Sequence, residues 1–136
     1  MPPASLLIAA GAAVLATLGA LHLLFTYRGV RLQPRDPALR AAMEQGTLFI
    51  TRETTVWRAN LGFNASHSLG LITFGLVYGY LALAHPQVLA GSVFLLALGL
   101  GVHLAYVGLA RRYFFSVPLR GAVLAAALHA AGWLLL

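Results

Sequence analysis

The chain predicts an all-α fold: a four-transmembrane-helix bundle with a short cytoplasmic amphipathic helix in its first loop. Three observations predict it. Of the 136 residues, 60% are hydrophobic and only nine basic and three acidic residues carry charge, where a soluble domain would have roughly a quarter of its residues charged. Four apolar stretches are each long enough to cross a hydrocarbon core of about 30 Å, which takes roughly 20 helical residues. Seven of the nine arginines lie in alternate loops and the other two, Arg58 and Arg120, near the adjoining helix ends, the distribution that the positive-inside rule describes for a multi-pass membrane protein. One domain, residues 1–136, is expected at this length.

The first apolar stretch, Ala4 to Phe25, has no charged residue and predicts a helix over about 4–26. Met1-Pro2-Pro3 brings no basic residue ahead of it, so the charged n-region of a signal peptide is missing and the segment reads as retained. The second stretch predicts a helix over about 54–84. Thr51 to Trp57 reads as its start, with Thr51 as a plausible cap, so that it projects several residues below the membrane before entering it. The third and fourth helices are expected over about 88–111 and 117–136, with only His85-Pro86-Gln87 as the connection between the second and third.

Loop one, Tyr27 to Thr55, carries Arg28, Arg31, Arg35, Arg40 and Arg52; loop three carries Arg111 and Arg112, with Arg120 just beyond; loop two carries none. Loops one and three are therefore assigned to the cytoplasm, and both termini and loop two to the other side. Within loop one, Asp36-Pro37 is a cap followed by proline at the first helical position. Ala38 to Gln45 should form a short helix ended by Gly46. Its apolar residues Ala38, Leu39, Ala42 and Met43 recur at helical spacing, which suits a helix lying on the membrane surface.

All nine basic residues are arginine and the net charge is +6. Guanidinium forks suit carboxylate or phosphate recognition, but a GC-rich genome produces the same bias. The charge does not argue for nucleic acid, because positive loops are ordinary on a membrane protein. There is no cysteine, which excludes thiol redox chemistry, disulfides and thiolate metal sites, and with them the disulfide-handling four-helix membrane enzymes.

One feature points to function. Glu53, Trp57, Asn60, Asn64, His67 and Ser68 follow one another at spacings of four, three, four, three and one. At about 100° per residue they fall within an arc of ~100° on one face of the second helix. That face continues as Leu71, Gly75 and Tyr78. Polar groups in hydrocarbon are costly unless satisfied, so such a face should look into the bundle or a wet cavity. Topology places His22, Asn64, His67, His103 and Tyr106 near the cytoplasmic ends of their helices, beside Arg111, Arg112, Arg120 and Glu53. His129 lies higher, in helix four, and His85 reads as a loop residue. Each has a plainer reading as well. A histidine in a membrane helix is often hydrogen-bonded to backbone, and Tyr27, Trp57 and Tyr113 read as interfacial anchors.

Three chemistries fit a cavity of that composition. Arginine could clamp an anionic small molecule while Asn and Tyr donate hydrogen bonds. Two facing histidines could hold a haem. His22, His67 and His103, with Glu53 nearby, could hold a metal, although no local ligand motif such as His-x-x-x-His supports this and no metal is assigned.

Two resemblances add expectations. The runs Arg35-Asp36-Pro37-Ala38-Leu39-Arg40-Ala41-Ala42-Met43 and Gly62-Phe63-Asn64-Ala65-Ser66-His67-Ser68-Leu69-Gly70 resemble a group of uncharacterised bacterial four-helix integral membrane proteins. That likeness implies a bacterial inner membrane location and no known activity. More loosely, Arg58-Ala59, Asn64-Ala65-Ser66-His67, Phe74-Gly75-Leu76-Val77-Tyr78, His103-Leu104-Ala105-Tyr106-Val107-Gly108 and Pro118-Leu119-Arg120 fall in the order of similar motifs in the MAPEG superfamily, the small membrane enzymes of eicosanoid and glutathione metabolism. His67 stands where that family has Glu, and Gly121 where one branch has Ser. The resemblance implies a trimer with sites between subunits, and glutathione as cosubstrate. On that resemblance Arg58, Asn64, His103, Tyr106 and Arg120 would line the glutathione site, and Arg120 would stabilise a thiolate. Joined to the polar stripe, which adds Asn60 as a binding residue, this gives a scheme in which Arg120 or His67 is catalytic, activating the cosubstrate, and Asn64 and Tyr106 orient it.

The chain thus reads as a membrane-embedded enzyme or binder acting on an amphipathic, lipid-like substrate at the cytoplasmic leaflet, with a glutathione-transferase-like version. The alternatives are a non-enzymatic assembly or structural partner and a bis-His haem electron carrier.

Overall fold

The computed structural model describes residues 2–136. In chain order the elements are α1 (Pro3–Tyr27), α2 (Pro37–Gln45), β1 (Thr47–Leu48), β2 (Thr51–Thr55), α3 (Val56–Ala84), α4 (Pro86–Ala90), α5 (Val93–Tyr113) and α6 (Ser116–Leu134). Helices α1, α3, α5 and α6 are long and apolar enough to span a membrane. Among the described residues the protein is all-α apart from one two-stranded hairpin.

The short helix of loop one forms where expected. Asp36 is its N-cap, its Oδ1 accepting from the Ala38 N–H at 2.8 Å. Pro37 occupies the first turn, where a missing N–H costs nothing. Gly46 closes the other end, its N–H donating to the Ala42 carbonyl.

Two boundaries differ from expectation. The segment Thr51–Thr55 does not begin a helix; it is strand β2, antiparallel to β1, with Thr47 opposite Thr55 and Leu48 opposite Thr51. Three of its five residues are threonine, whose branched Cβ favours extended backbone. Thr55 then caps α3, its Oγ1 accepting from the Arg58 N–H at 3.2 Å. Glu53 is consequently an exposed strand residue and leaves the helical stripe assigned to it. The second difference lies in loop two. Pro86–Ala90 is a separate helical turn, and α5 starts only at Val93. Pro86 nucleates that turn, Gly91 ends it, and Ser92 restarts the chain by accepting from the Leu95 N–H at 3.2 Å.

The residues group into two compact units. One comprises the chain up to Leu18 together with Leu71–Leu136; the other is Gly19–Gly70. In the first, Ile8, Ala12, Tyr78, Ala82, Leu89 and Leu96 form a buried cluster. Leu15, Leu71 and Ala125 form another, against which Tyr106 and Phe74 pack. Backbones come close where side chains are small. A Cβ added to Gly75 would stand 2.5 Å from the Ala12 carbonyl oxygen and 2.7 Å from the Ala16 Cβ. Small residues allow such approach between membrane helices, where lipid supplies no hydrophobic drive and van der Waals contact must hold them together.

In the second unit, the end of α1, loop one and the first half of α3 are tied by side chains. Arg40 pairs with Glu44 one turn on at 2.6 Å, and its guanidinium lies 3.5 Å from the centre of the Trp57 ring. Arg31 stacks on Phe25 at 4.5 Å. Trp57, expected at the rim as an anchor, is buried under this cation.

Candidate functional site

Helix α3 presents the polar face that its spacing predicts, starting at Trp57 rather than at Glu53. Trp57 and Ser68 are buried, and Asn60, Asn64 and His67 are half-buried. Leu71, Gly75 and Tyr78 continue the line and are buried as well. Arg58, about 100° around the helix from Trp57, is exposed.

Asn64 organises this face. Its Nδ2 donates to the Asn60 carbonyl at 2.8 Å and lies 3.2 Å from Asn60 Oδ1. A backbone carbonyl only accepts, so the amide must be turned with Oδ1 away from it. Oδ1 is then the atom that meets His22 Nε2, at 2.9 Å. The ring must donate there: His22 carries its proton on Nε2, which leaves Nδ1 as the basic nitrogen when the ring is neutral. His67 completes the group, its ring set edge-on to His22 with centroids 5.3 Å apart. Two hydroxyls secure the backbone around these residues. Ser68 Oγ donates to the Asn64 carbonyl at 2.8 Å and Thr26 Oγ1 to the His22 carbonyl at 2.8 Å. His22, Asn60, Asn64 and His67 thus form one hydrogen-bonded and ring-stacked cluster from two helices far apart in sequence.

Two further helical histidines form a different group, inside the first unit. His103 and His129 are completely buried, with ring centroids 4.9 Å apart. Each gives its one proton to a main-chain carbonyl: His103 Nδ1 to Gly99 at 2.7 Å, His129 Nε2 to Leu96 at 3.1 Å. Among the described residues, the remaining nitrogens, His103 Nε2 and His129 Nδ1, make no hydrogen bond of good geometry, and the Gly11 main chain is the second polar group facing the His103 ring. Aromatic rings enclose the pair: Phe74 lies 5.3 Å from His103 and Tyr78 5.8 Å from His129. Tyr78 in turn donates its hydroxyl to the Leu95 carbonyl at 2.8 Å. Gly99 makes room for this packing, since a Cβ there would fall 2.5 Å from His129 Cε1 and 2.6 Å from Tyr78 Cε1.

Sequence reasoning left His129 out of the candidate set, and the structure pairs it with His103. The available signal was the Gly99-His103 spacing of four, which marks a helix face with room for a second ring. Tyr106 packs on the Leu15, Leu71 and Ala125 cluster, and Arg120 is exposed about one turn into α6. Exposed His85 meets the Tyr80 hydroxyl at 3.0 Å. Among the described residues no three His, Cys, Asp or Glu side chains converge as a metal site would need. The trio of His22, His67 and His103 with Glu53 is therefore not assembled.

These elements define a class: a small all-α protein with four helices fit to span a membrane and a half-buried histidine–asparagine cluster on two of them. Compared with known protein families, curated proteins and solved structures, the chain matches none.

Proposed function

We propose that this is a multi-pass protein of the bacterial inner membrane, with both termini outside the cytoplasm, that binds the polar end of an amphipathic, lipid-like molecule at the cytoplasmic leaflet. The observation that carries the reading is the His22–Asn64 hydrogen bond together with the incomplete burial of Asn60, Asn64 and His67. Polar groups inside a pair of membrane helices are costly in hydrocarbon and gain from every polar partner they meet. A half-open cluster can find such partners in a ligand head group.

The arginine-rich loop next to the cluster supports the leaflet assignment through the positive-inside rule. His22 lies five residues, about 7.5 Å of helix rise, before the end of α1, close to the membrane boundary. A ligand could there keep its tail in lipid and its head on the cluster. The His22 ring has two nitrogens and only Nε2 is engaged by Asn64, so Nδ1 is the nitrogen placed to meet a hydroxyl, amide or phosphate group.

A transferase of the glutathione type would ask more of the chain. Arg58 and Arg120 are exposed and free to meet an anion in solution, whereas His103 is wholly enclosed and Tyr106 is part of a packing cluster. The binder reading uses only residues seen in contact.

The experiment is lipid retention. Wild type, Asn64→Leu and His67→Leu would be purified in mild detergent from the same membranes and their co-purifying lipids weighed by native mass spectrometry. The expected result is a bound amphiphile on wild type that falls at least tenfold in both variants. Equal retention in all three would sink the proposal. Glutathione-dependent thermal stabilisation that Arg120→Ala abolishes would instead support the transferase, and a Soret band would establish the haem carrier.

A further inference from the structure

The β1–β2 turn carries an anomaly that the cluster does not explain. Turns are ordinarily made of Gly, Asn, Asp, Ser or Pro, which tolerate tight backbone and prefer water. Here the turn is Phe49-Ile50. Phe49 is fully exposed and Ile50 is 88% exposed, so the fold of the chain makes no use of either side chain. Two adjacent large apolar residues at a projecting tip mark an interaction site.

The connection to α3 narrows what could meet them. Strand β2 ends at Thr55 and α3 begins at Val56, with no linker between. Five extended residues reach about 17 Å, so the tip stays within that distance of the start of a membrane-spanning helix. Helix α3 has 29 residues, about 43 Å at 1.5 Å per residue, against about 30 Å of hydrocarbon core. Its ends therefore lie in the headgroup layers, and the hairpin tip is in reach of the same layer.

Charge selects the kind of lipid. Arg52 follows the tip and is exposed, as are Arg28, Arg35 and Arg58 in the same unit. Arg40 is already engaged by Glu44 and Trp57. Basic residues beside an apolar wedge attract anionic headgroups and hold the wedge in the interface. A second copy of the chain is the weaker occupant, because a stable interface needs about 1,000 Å² or more and two side chains on a turn supply a small part of that.

We propose that the β1–β2 hairpin is an interfacial anchor: Phe49 and Ile50 insert at the headgroup–acyl boundary of the bilayer that the protein spans, and Arg52 binds anionic lipid beside them. Loop one is then held at the membrane surface at its far end.

The absence of cysteine makes the test direct. Phe49→Cys, Ile50→Cys and, as a water reference on the same hairpin, Glu53→Cys would each carry a nitroxide label in nanodiscs of phosphatidylcholine with and without phosphatidylglycerol. Only proteins whose thermal unfolding matches wild type would be used; with two tip positions, loss of one variant leaves the other. Power saturation should show oxygen accessibility exceeding that of a water-soluble nickel chelate several-fold at 49 and 50, with the order reversed at 53. Adding phosphatidylglycerol should increase the difference, and Arg52→Gln should remove the increase. Nickel accessibility at 49 and 50 equal to that at 53 would overturn the anchor. So would low accessibility to both reagents with spin–spin broadening, which would mean a second copy covers the tip. Insertion that is indifferent to phosphatidylglycerol would overturn the anionic-lipid part.

Discussion

His22 Nε2 lies 2.9 Å from Asn64 Oδ1 across 42 residues of sequence, and the Asn60 carbonyl decides which of the two donates. Because that carbonyl fixes the Asn64 amide, one backbone acceptor sets the tautomer of a histidine on another helix.

Asn64 should therefore be the most sensitive position of the cluster. Hydrogen bonds between membrane helices are worth about 0.6 kcal/mol on average and up to ~2 kcal/mol. Asn64→Ala is expected to lose about 1 kcal/mol in reversible unfolding in detergent. Asn64→Asp keeps the acceptor for His22 and loses the donor to Asn60, so it should retain the Nε2–H tautomer of His22 in nitrogen NMR while lowering stability. An Asp variant whose His22 changes tautomer would refute the orientation of the amide.

The buried pair makes a second prediction. Main-chain carbonyls can only accept, so His103 should carry its proton on Nδ1 and His129 on Nε2. Nitrogen-15 spectra of the two rings should show opposite tautomers in one molecule. Two identical tautomers would contradict the contacts to Gly99 and Leu96.

Close packing distinguishes glycines that look alike in sequence. Gly75→Ala should destabilise by about 1–3 kcal/mol, because the methyl group meets the Ala12 and Ala16 main chain, which cannot rotate away. Gly62→Ala points into open space and should be neutral or gain up to ~1 kcal/mol from helix propensity. Thermal unfolding of the two variants side by side tests the assignment; equal losses would argue against it.

Arg40 joins α2 to α3 through its contact with Trp57. A cation over an aromatic face contributes about 0.5–1 kcal/mol where solvent reaches it, and the ion pair with Glu44 a few tenths more. Arg40→Ala should lower global stability by no more than about 1 kcal/mol but speed proteolysis within loop one, and shift Trp57 emission to the red. Unchanged proteolysis would mean that the loop is held by other contacts.

Much of the fold was legible because membrane-spanning helices are written in composition. Length and apolarity placed four of them, and Asp36-Pro37 with Gly46 placed the fifth helix closely. The errors fell where local chemistry competes. Thr51 to Trp57 read as a helix start with Thr51 as its cap, yet threonine preferred the strand up to Thr55, and Thr55 became the cap. Val88 to Ala90 read as membrane helix because it is apolar, yet Pro86 and Gly91 cut it into a separate turn. The site was legible on α3, where period alone gathers Asn60, Asn64 and His67. His22 was a candidate from depth, but its bond to Asn64 was not readable, since no pattern within one helix specifies which residue of another it meets.

The sequence by itself determined that this protein has four helices fit for a membrane, a basic first loop, and one helix face too polar for lipid. These follow from composition and from periods of three and four residues, which are local quantities. Only the tertiary structure decided that His22 belongs with Asn64 and His67, that His103 belongs with His129, and that Phe49 and Ile50 face outward. Those pairings depend on how backbones approach at glycine and alanine, and on which carbonyls lie within reach of a ring nitrogen. Both are properties of helices in contact, and neither is encoded in the spacing along any single one.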